Sequence, residues 1–329
     1  MNKKKTLVRG GELSGDRNIM AFHQEFFTLN NGNKIPAVAV VGTGTTWFKN
    51  EETESNFSKE LVEQIKYALT LPGIVHLDAA ECYNTYQELG QALRESPKPR
   101  DEIFITDKFS PTPKNHGGVL ERFESGIKKM GVDYVDLYLI HSPLIEKEKN
   151  GVTLEEVWKD LEKLYEAGKA KNIGVSNFRV EDLQRILKVA KVKPQVNQIE
   201  FHVFLQNQTP GIVKFSQDNN IQLEAYTPLG PLQRKQSDAG DFYNYVEELA
   251  KKYGKTEAQV LLRWVTRRHV LPITTSSKPQ RIQAAQDLFS FDLTDEEVKK
   301  ITELGLKHKP LRLYWNDVWD QYNSEAQKP

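Results

Sequence analysis

GIVHLD, at residues 73–78, is the first of three short apolar runs that indicate the fold of this chain; EIFITDK follows at residues 102–108 and VDLYLIH at residues 135–141. Each run ends in an ionisable side chain, and successive ends are about 30 residues apart, the length of one strand–helix–strand unit. If the runs are consecutive parallel strands, these side chains emerge together at the carboxyl-terminal edge of a sheet. We therefore expect polar chemistry at that edge.

Five further runs extend this pattern to eight predicted strands, at residues 37–42, 74–78, 103–108, 135–141, 171–176, 195–200, 221–226 and 270–275. Segments with apolar residues at helical spacing lie between them, at residues 59–71, 87–94, 119–129, 154–167, 180–189, 211–219 and 257–268. Because helix-like segments connect most of the strands, the sheet should be parallel. Eight such units favour a closed α/β (β/α)8 TIM barrel, with a doubly wound open sheet as the alternative.

The two ends of the chain add to this barrel. Asn31-Gly32 lies between two apolar segments and predicts an N-terminal hairpin. The tail LRLYWNDVWDQY, residues 311–322, is expected to lie over the barrel mouth. We expect a single domain over residues 20–329, because no linker of biased composition divides them, preceded by a disordered extension over residues 1–19.

The composition argues against several function classes. The 45 Lys and Arg residues balance the 45 Asp and Glu residues, so no net charge attracts nucleic acid or an anionic membrane. No stretch approaches the roughly 20 apolar residues of a membrane span. One cysteine and no recognisable secretion signal favour the cytoplasm. We also expect a monomer and, because the histidines are scattered without metal-ligand spacing, no metal site.

The segment GTGTT, residues 42–46, follows the first predicted strand. It lacks the third glycine of the dinucleotide fingerprint and does not lead directly into a helix, so it is weak evidence for a Rossmann fold. Two interpretations stay open: a tight strand-to-loop turn, or backbone contacts with a ligand at the barrel mouth.

The four polar residues near the predicted rim form a complementary set. Tyr83 can protonate a developing alkoxide, and a nearby Lys108 ammonium should lower the pKa of its phenol. Asp78 can hold that ammonium, and a neutral His141 can donate to a carbonyl oxygen. The set suits the protonation of a carbonyl oxygen while hydride reaches its carbon, so a nicotinamide cofactor is needed. Cys82 adjoins Tyr83 and is interpreted either as an inert small residue or as an oxidation site.

Several motifs resemble those of the aldo-keto reductase family. HLDAAECYNTYQELGQAL, residues 76–93, resembles a family signature in which an Asp precedes the catalytic Tyr by five positions, and VDYVDLYLIHSP, residues 132–143, resembles the signature around its His. GKAKNIGVSNF and PQVNQIEFH resemble the segments that contact the nicotinamide. The likeness runs from about residue 26 to residue 304. Within the family, it is greatest to fungal NADPH-dependent reductases of α-keto amides and conjugated polyketones.

The resemblance assigns roles residue by residue. Tyr83 would be the general acid, Lys108 and Asp78 would support it, and His141 would orient the carbonyl. The predicted cofactor contacts are Ser176, Asn177 and Gln198 on the nicotinamide carboxamide, Tyr226 on its ring, and Gly44, Thr45 and Leu229 at the barrel mouth.

The loop after the last predicted strand bears on the choice between NADPH and NADH. Where the family commonly has a Lys, this chain has Thr275, but Lys278 follows three positions later and Arg281 matches a family Arg. With Ser276 and Ser277, they give hydroxyls and cations suited to a 2′-phosphate, which predicts NADPH. A solvated basic helix start is the alternative. Ala284-Ala285 replaces the family's Glu-Asn pair and leaves the adenine contact open.

The predicted substrate is a small molecule with an activated carbonyl: an α-keto amide, an α-keto ester or a diketone. Ser142 stands where many family members have a Trp after the His, and should widen the pocket. Trp47, Phe48, Tyr314 and Trp315 are candidate walls, although the last two could instead be an aromatic patch that docks the tail. An alternative function is a cofactor-sensing regulatory subunit; a phosphate-using isomerase would leave the four rim residues unexplained.

Overall fold

The computed structural model describes residues 22–50, 52–111 and 118–324. The predicted extension over residues 1–19 lies outside the described residues.

The chain begins its described fold with a hairpin of strands β1 (Phe26–Thr28) and β2 (Lys34–Pro36), as the Asn-Gly signal predicts. Gly32 in its turn has φ of +89°, a left-handed conformation that glycine adopts without a Cβ clash. Asn30 donates from Nδ2 to the main-chain oxygen of Pro194 at 2.8 Å, just before a barrel strand begins. The hairpin therefore covers the amino-terminal end of the barrel, opposite the predicted site.

Eight parallel strands form the barrel wall. They are paired in chain order, and they are β3 (Val41–Gly42), β4 (Val75–Asp78), β5 (Ile103–Phe109), β6 (Leu137–Ile140), β7 (Ile173–Ser176), β8 (Val196–Glu200), β9 (Gln222–Tyr226) and β10 (Val270–Pro272). The first and last segments also meet: the Ala39 N–H donates to the oxygen of Pro272 at 3.0 Å, and the Thr274 N–H donates to the oxygen of Ala39 at 2.9 Å. These bonds close the sheet, so the predicted (β/α)8 barrel is confirmed.

Helices cover the outside of this wall. The principal ones are α1 (Lys59–Ala68), α2 (Tyr86–Arg94), α3 (Val119–Met130), α5 (Leu154–Glu166), α6 (Val180–Leu187), α7 (Ile212–Asp218), α9 (Gly240–Tyr253), α10 (Glu257–Arg267), α11 (Pro279–Gln286) and α12 (Asp295–Leu306), with short α4 (Lys147–Asn150), α8 (Gly230–Gln233) and α13 (Asn316–Trp319). All seven predicted helices are present. Helices α9 and α12 were not predicted, although the Thr294 and Glu297 pair that caps α12 is a recognisable capping box.

The observed strands are shorter than the predicted runs at the point of closure. Within the predicted run 37–42, only Val41–Gly42 forms a strand. Ala39 is paired by an isolated bridge with Ile273. At the other end of the chain, the tail after α12 crosses the barrel mouth, and its Trp319 is 1% exposed. None of the described helices is long and apolar enough to span a membrane.

Candidate active site

The barrel brings the four predicted rim residues together. Asp78 ends β4, Lys108 lies near the end of β5, and His141 directly follows β6. Tyr83 lies in a 3₁₀ turn, Glu81–Tyr83, that follows β4. Because parallel strands end at the same edge, residues far apart in sequence meet here.

Lys108 lies at the centre of this group and is completely buried. Its Nζ donates to Asp78 Oδ1 at 2.6 Å, to the main-chain oxygen of Ala79 at 2.8 Å and to the Tyr83 hydroxyl at 3.4 Å. An ammonium has three donors, and each has an acceptor here. Burial lowers the pKa of Lys108, but its acidic neighbours, first of all the charge of Asp78, outweigh burial, so the pKa lies above its ordinary value and the ammonium stays charged.

The Tyr83 pKa corrects one sequence expectation. Lys108 acts in the predicted direction and lowers it, but burial acts more strongly, and the net pKa of the phenol is raised above its ordinary value. The sequence revealed the neighbouring charge but not the depth of burial. At neutral pH the phenol therefore keeps its proton, ready for a stronger base such as a developing alkoxide.

His141 is neutral in this site. Burial, followed by the charge of Lys108, lowers the pKa of its imidazole to about 3. The ring meets the Tyr83 ring edge-on, with 5.7 Å between centroids. A neutral imidazole beside the phenol has one N–H to donate, as the proposed orienting role requires.

Gly44 allows the loop after β3 to approach Tyr83. A Cβ on Gly44 would lie 2.8 Å from Cζ of the Tyr83 ring, closer than carbon atoms can pack. This contact explains why a glycine is needed at position 44 of GTGTT: Gly44 packs against the phenol and lines the cavity beside it.

A second polar group lies on the neighbouring strands. Asn177 donates from Nδ2 to the main-chain oxygen of His141 at 3.0 Å and accepts from the Tyr226 hydroxyl at 2.8 Å. Ser176 is fully buried and donates to the main-chain oxygen of Gln198 at 2.9 Å. Three of the four predicted nicotinamide contacts, Asn177, Gln198 and Tyr226, line the cavity, whereas Ser176 lies behind them.

Gln198 joins this group to the proton donor. Its Nε2 donates to Asp78 Oδ2 at 3.0 Å and to Glu224 Oε2 at 2.7 Å. Both amide donors are thus used within the protein, so the amide oxygen is the atom left for a ligand. Burial, and then the charge of Asp78, raises the pKa of Glu224 to about 8. The sequence analysis missed Glu224, although a charged residue in an otherwise apolar strand is a usable signal.

A cavity of about 900 Å³ opens above these residues. Tyr83 and His141 lie on its floor, and Leu313 and Val318 of the tail form part of its wall. The predicted residues that line it are Gly44, Thr45, Phe48, Asp78, Tyr83, His141, Asn177, Gln198, Tyr226, Leu229, Tyr314 and Trp315.

Two predicted pocket residues do not line this cavity. Trp47 is packed in the hydrophobic core, whereas its neighbour Phe48 is 52% exposed at the mouth, because adjacent residues of this turn face opposite directions. Ser142 is buried, and its hydroxyl accepts the N–H of Leu144 at 3.2 Å, which fixes a local turn. Ser142 therefore does not line the cavity, and the widening of the pocket by its small side chain stays a prediction.

The predicted phosphate-binding residues lie together at the start of α11. The Lys278 N–H donates to Ser276 Oγ at 3.1 Å, and Ser277, Lys278 and Arg281 are exposed. Neither Lys278 nor Arg281 forms an ion pair with any carboxylate in the described part of the chain. Thr274 and Thr275, just before them, line the cavity, so these cations stand beside its edge.

The tail is attached to the barrel by a residue that the sequence analysis did not identify. Glu200, at the end of β8, is completely buried and accepts the backbone N–H groups of Leu313 at 2.8 Å and Tyr314 at 3.2 Å. Arg312 donates to the main-chain oxygen of Gln208 at 2.8 Å. The Tyr314 ring packs edge-on against Tyr226, 6.0 Å between centroids, so the tail forms a cavity wall.

A parallel barrel with a buried Tyr–Lys–Asp–His group beside a deep cavity is the arrangement of an enzyme that protonates its substrate. Comparison with known proteins agrees: the sequence profile of the Aldo/keto reductase family matches residues 40–305. The chain belongs to this family, as its motifs indicated.

Individual relatives extend the comparison. A Saccharomyces cerevisiae protein named NADPH-dependent alpha-keto amide reductase is 67% identical over 311 residues, covering 94% of this chain and 100% of the yeast protein. A Schizosaccharomyces pombe NAD/NADP-dependent indole-3-acetaldehyde reductase is 38% identical over 277 residues, covering 84% of this chain and 94% of its own. The crystal structure of a Bombyx mori aldo-keto reductase in complex with NADP is 30% identical, with a TM-score of 0.75, over 92% of this chain and 98% of that one.

Proposed function

We propose that this protein is an NADPH-dependent carbonyl reductase whose substrates are activated ketones and aldehydes, in particular α-keto amides, α-keto esters and α-diketones. The observation that carries the proposal is the contact of Lys108 with both Asp78 and Tyr83 at the floor of the cavity. The yeast relative, named for α-keto amide reduction, supports the substrate class.

Each rim residue then has a task in the reaction. The cofactor, when bound, supplies the hydride to the carbonyl carbon. Tyr83 gives its phenolic proton to the carbonyl oxygen, and the phenolate left behind is stabilised by Lys108, 3.4 Å away. Asp78 holds the ammonium in place, and His141 donates to the carbonyl oxygen and so fixes its direction.

The residues present fit a nicotinamide dinucleotide with a 2′-phosphate. The amide oxygen of Gln198 is available to a carboxamide, and Tyr226 offers an aromatic face at the same wall. Lys278 and Arg281, with the hydroxyls of Ser276 and Ser277, would hold the phosphate at the start of α11. Ser176 would not contact the cofactor itself but would orient Asn177, whose Nδ2 donates to the Ser176 hydroxyl at 3.1 Å.

The charge of the cavity favours neutral substrates. Among the described residues that line it, none is Lys or Arg, and Asp317 lies at its mouth. The carboxylate of a free α-keto acid would find no cationic side chain to pair with in this lining, whereas the corresponding amide or ester is neutral and needs none. Phe48, Leu313 and Tyr314 offer apolar surface to a bulky substituent next to the carbonyl.

One assay tests this proposal: NADPH oxidation with a matched α-keto amide, α-keto ester and α-keto acid of the same carbon skeleton, and with an α-diketone. We expect turnover of the neutral compounds, at most weak turnover of the acid, and loss of activity in Tyr83→Phe. Absence of turnover above the blank with every carbonyl, or full activity in Tyr83→Phe, would contradict the proposal. The first of these results would favour the alternative of a cofactor-sensing subunit.

We further propose that the protein is a cytoplasmic monomer and that residues 20–329 form a single domain. A single cysteine, which cannot form an intramolecular disulfide, supports a reducing compartment. Size-exclusion chromatography with light scattering tests the monomer, and limited proteolysis tests the single domain.

A further inference from the structure

One ring nitrogen of His141 contacts two side chains of the protein. Its Nδ1 lies 3.0 Å from the hydroxyl of Ser110, which follows β5, and 3.5 Å from the thiol of Cys82, which precedes Tyr83. Nε2 has no protein partner among the described residues. Because His141 also lines the cavity, Nε2 is the nitrogen available to a substrate.

The main chain of Ser110 is held in place. Its N–H donates to Glu81 Oε2 at 3.3 Å, and its carbonyl oxygen accepts from the Arg122 guanidinium. Arg122 in turn donates from Nε to Glu81 Oε1 at 2.7 Å, which closes a ring of contacts around Ser110. The Glu81–Arg122 ion pair thus holds the backbone of Ser110 next to the 3₁₀ turn that carries Tyr83.

The chemistry of these two partners bears on which nitrogen of His141 carries hydrogen. The ring is neutral, because burial lowers the pKa of its imidazole to about 3, so it has one N–H. Burial raises the pKa of the Cys82 thiol, so the thiol keeps its proton. The Ser110 hydroxyl can donate to Nδ1 or accept from it, and the protonated Cys82 thiol can also donate to it. When either group donates to Nδ1, the single ring proton lies on Nε2.

We propose that Ser110 and Cys82 are positioning residues that hold His141 as the Nε2–H tautomer, so that its single N–H points to the substrate carbonyl. With the opposite tautomer, a lone pair on Nε2 would face the carbonyl oxygen, and the two would repel each other. This inference rests on the proposed function, because it explains how His141 becomes a donor in carbonyl reduction.

Nitrogen-15 NMR of the histidine rings tests the inference on the protein without substrate. The His141 signals are assigned by their loss in His141→Gln. We expect Nδ1 of His141 to be unprotonated and Nε2 protonated in the wild type. In the double variant Ser110→Ala/Cys82→Ala we expect a mixture of tautomers, together with a kcat about 10-fold lower. Ser237→Ala, at an exposed serine, is the matched control and should change neither the tautomer of His141 nor kcat.

Two further measurements separate positioning from a loss of folding. Ser110→Thr keeps the hydroxyl and should retain the wild-type tautomer, and circular dichroism and NADPH affinity should be unchanged in all variants. A protonated Nδ1 in the wild type, or a double variant with unchanged tautomer and unchanged kcat, would overturn the inference. Because the NMR readout needs no turnover, failure of the proposed function would leave the tautomer measurable and the two outcomes distinguishable.

Discussion

The buried carboxylate of Glu200 accepts the backbone N–H of Leu313 at 2.8 Å, which links the end of a barrel strand to the C-terminal tail. Its other oxygen accepts the N–H of Tyr314, the next residue. Because Leu313 and Tyr314 both line the cavity, the position of this wall depends on a carboxylate outside the proposed chemistry. Glu200 thus connects the barrel to the selection of substrate.

Replacement of Glu200 by Ala should therefore impair recognition of bulky substrates. Loss of two backbone hydrogen bonds corresponds to about 2 kcal/mol, or a KM about 30-fold higher for an aromatic α-keto amide. Glu200→Gln keeps one acceptor oxygen and should give an intermediate KM. Steady-state kinetics measure both, and NADPH affinity, measured by fluorescence quenching, should stay the same.

Glu166→Gln, at an exposed carboxylate on α5, is the control for removal of one negative charge and should behave as the wild type. An unchanged KM in Glu200→Ala would mean that the tail keeps its position without this bond.

A methyl group on Gly44 should displace the proton donor. The Cβ of Gly44→Ala would lie 2.8 Å from the Tyr83 ring, so either the phenol or the loop must shift, and the geometry between them changes. We expect kcat to fall by about 10- to 100-fold, since a displacement of about 1 Å at the reacting group can cost about 100-fold. Gly240→Ala is the matched control, because a Cβ there has no atom within 4 Å. Equal kcat values for the two variants would contradict the prediction.

The convergence of the rim residues could be predicted from the sequence, and the reason is geometric. Asp78, Lys108 and His141 follow or end parallel strands, and parallel strands place their ends at one edge whatever the loops do. Tyr83 belongs to a short turn after β4 and so remains close. Because a strand fixes the direction and length of the chain, the spacing of these residues in the sequence was sufficient to predict that they meet.

Side-chain direction outside regular elements could not be predicted in this way. Trp47 and Phe48 are adjacent in a segment whose apolar residues show neither helical nor strand periodicity. Only the fold shows that Trp47 faces the core. The raised pKa of Tyr83 depends on burial, which no local pattern reports. Glu200 and Glu224 did leave a signal: each is a charged residue two positions from Gln198 or Tyr226, on the same side of its strand.

The cations at the start of α11 should determine the cofactor preference. Lys278→Met and Arg281→Met would each remove a charge-assisted contact with the 2′-phosphate, worth about 1.5–3 kcal/mol. We expect kcat/KM for NADPH to fall by about 10-fold or more in each variant, and kcat/KM for NADH to stay constant because NADH lacks that phosphate. Lys159→Met, on the exposed side of α5, is the control. An equal loss with both cofactors would exclude a role specific to the 2′-phosphate.

The apolar walls should select for substrate size. Phe48→Ala and Tyr314→Ala would each remove a ring from the cavity mouth, where these side chains are 52% and 43% exposed and can be covered by a substrate. Covering such a ring contributes up to about 1.5–3 kcal/mol, so kcat/KM for an aromatic α-keto amide should fall about 10-fold. A small aliphatic α-diketone does not reach the rings and should be reduced at the wild-type rate. Leu144→Ala, 44% exposed and outside the cavity lining, is the control.

Glu224 should make the protein less stable at alkaline pH. Burial raises the pKa of its carboxyl from 4.5 to about 8, so between these values the folded state holds a proton that the unfolded chain has released. The free energy of unfolding therefore falls as pH rises through this window, by at most about 1.4 kcal/mol per pH unit, and levels off above about pH 8. Glu224→Gln replaces the carboxyl by a neutral amide of similar shape, whose oxygen can still accept from Gln198.

The variant should consequently lose this part of the pH dependence. We expect the Tm of Glu224→Gln minus that of the wild type to increase from pH 5 to about pH 8 and then to level off, as measured by thermal unfolding in matched buffers. Asp107, whose pKa is raised to about 7 chiefly by burial, acts in the same direction but is present in both proteins and cancels in the difference. Glu166→Gln should follow the wild type at every pH. A Tm difference that is independent of pH would mean that Glu224 is already ionised in the folded protein at neutral pH, with Lys108 balancing two carboxylates.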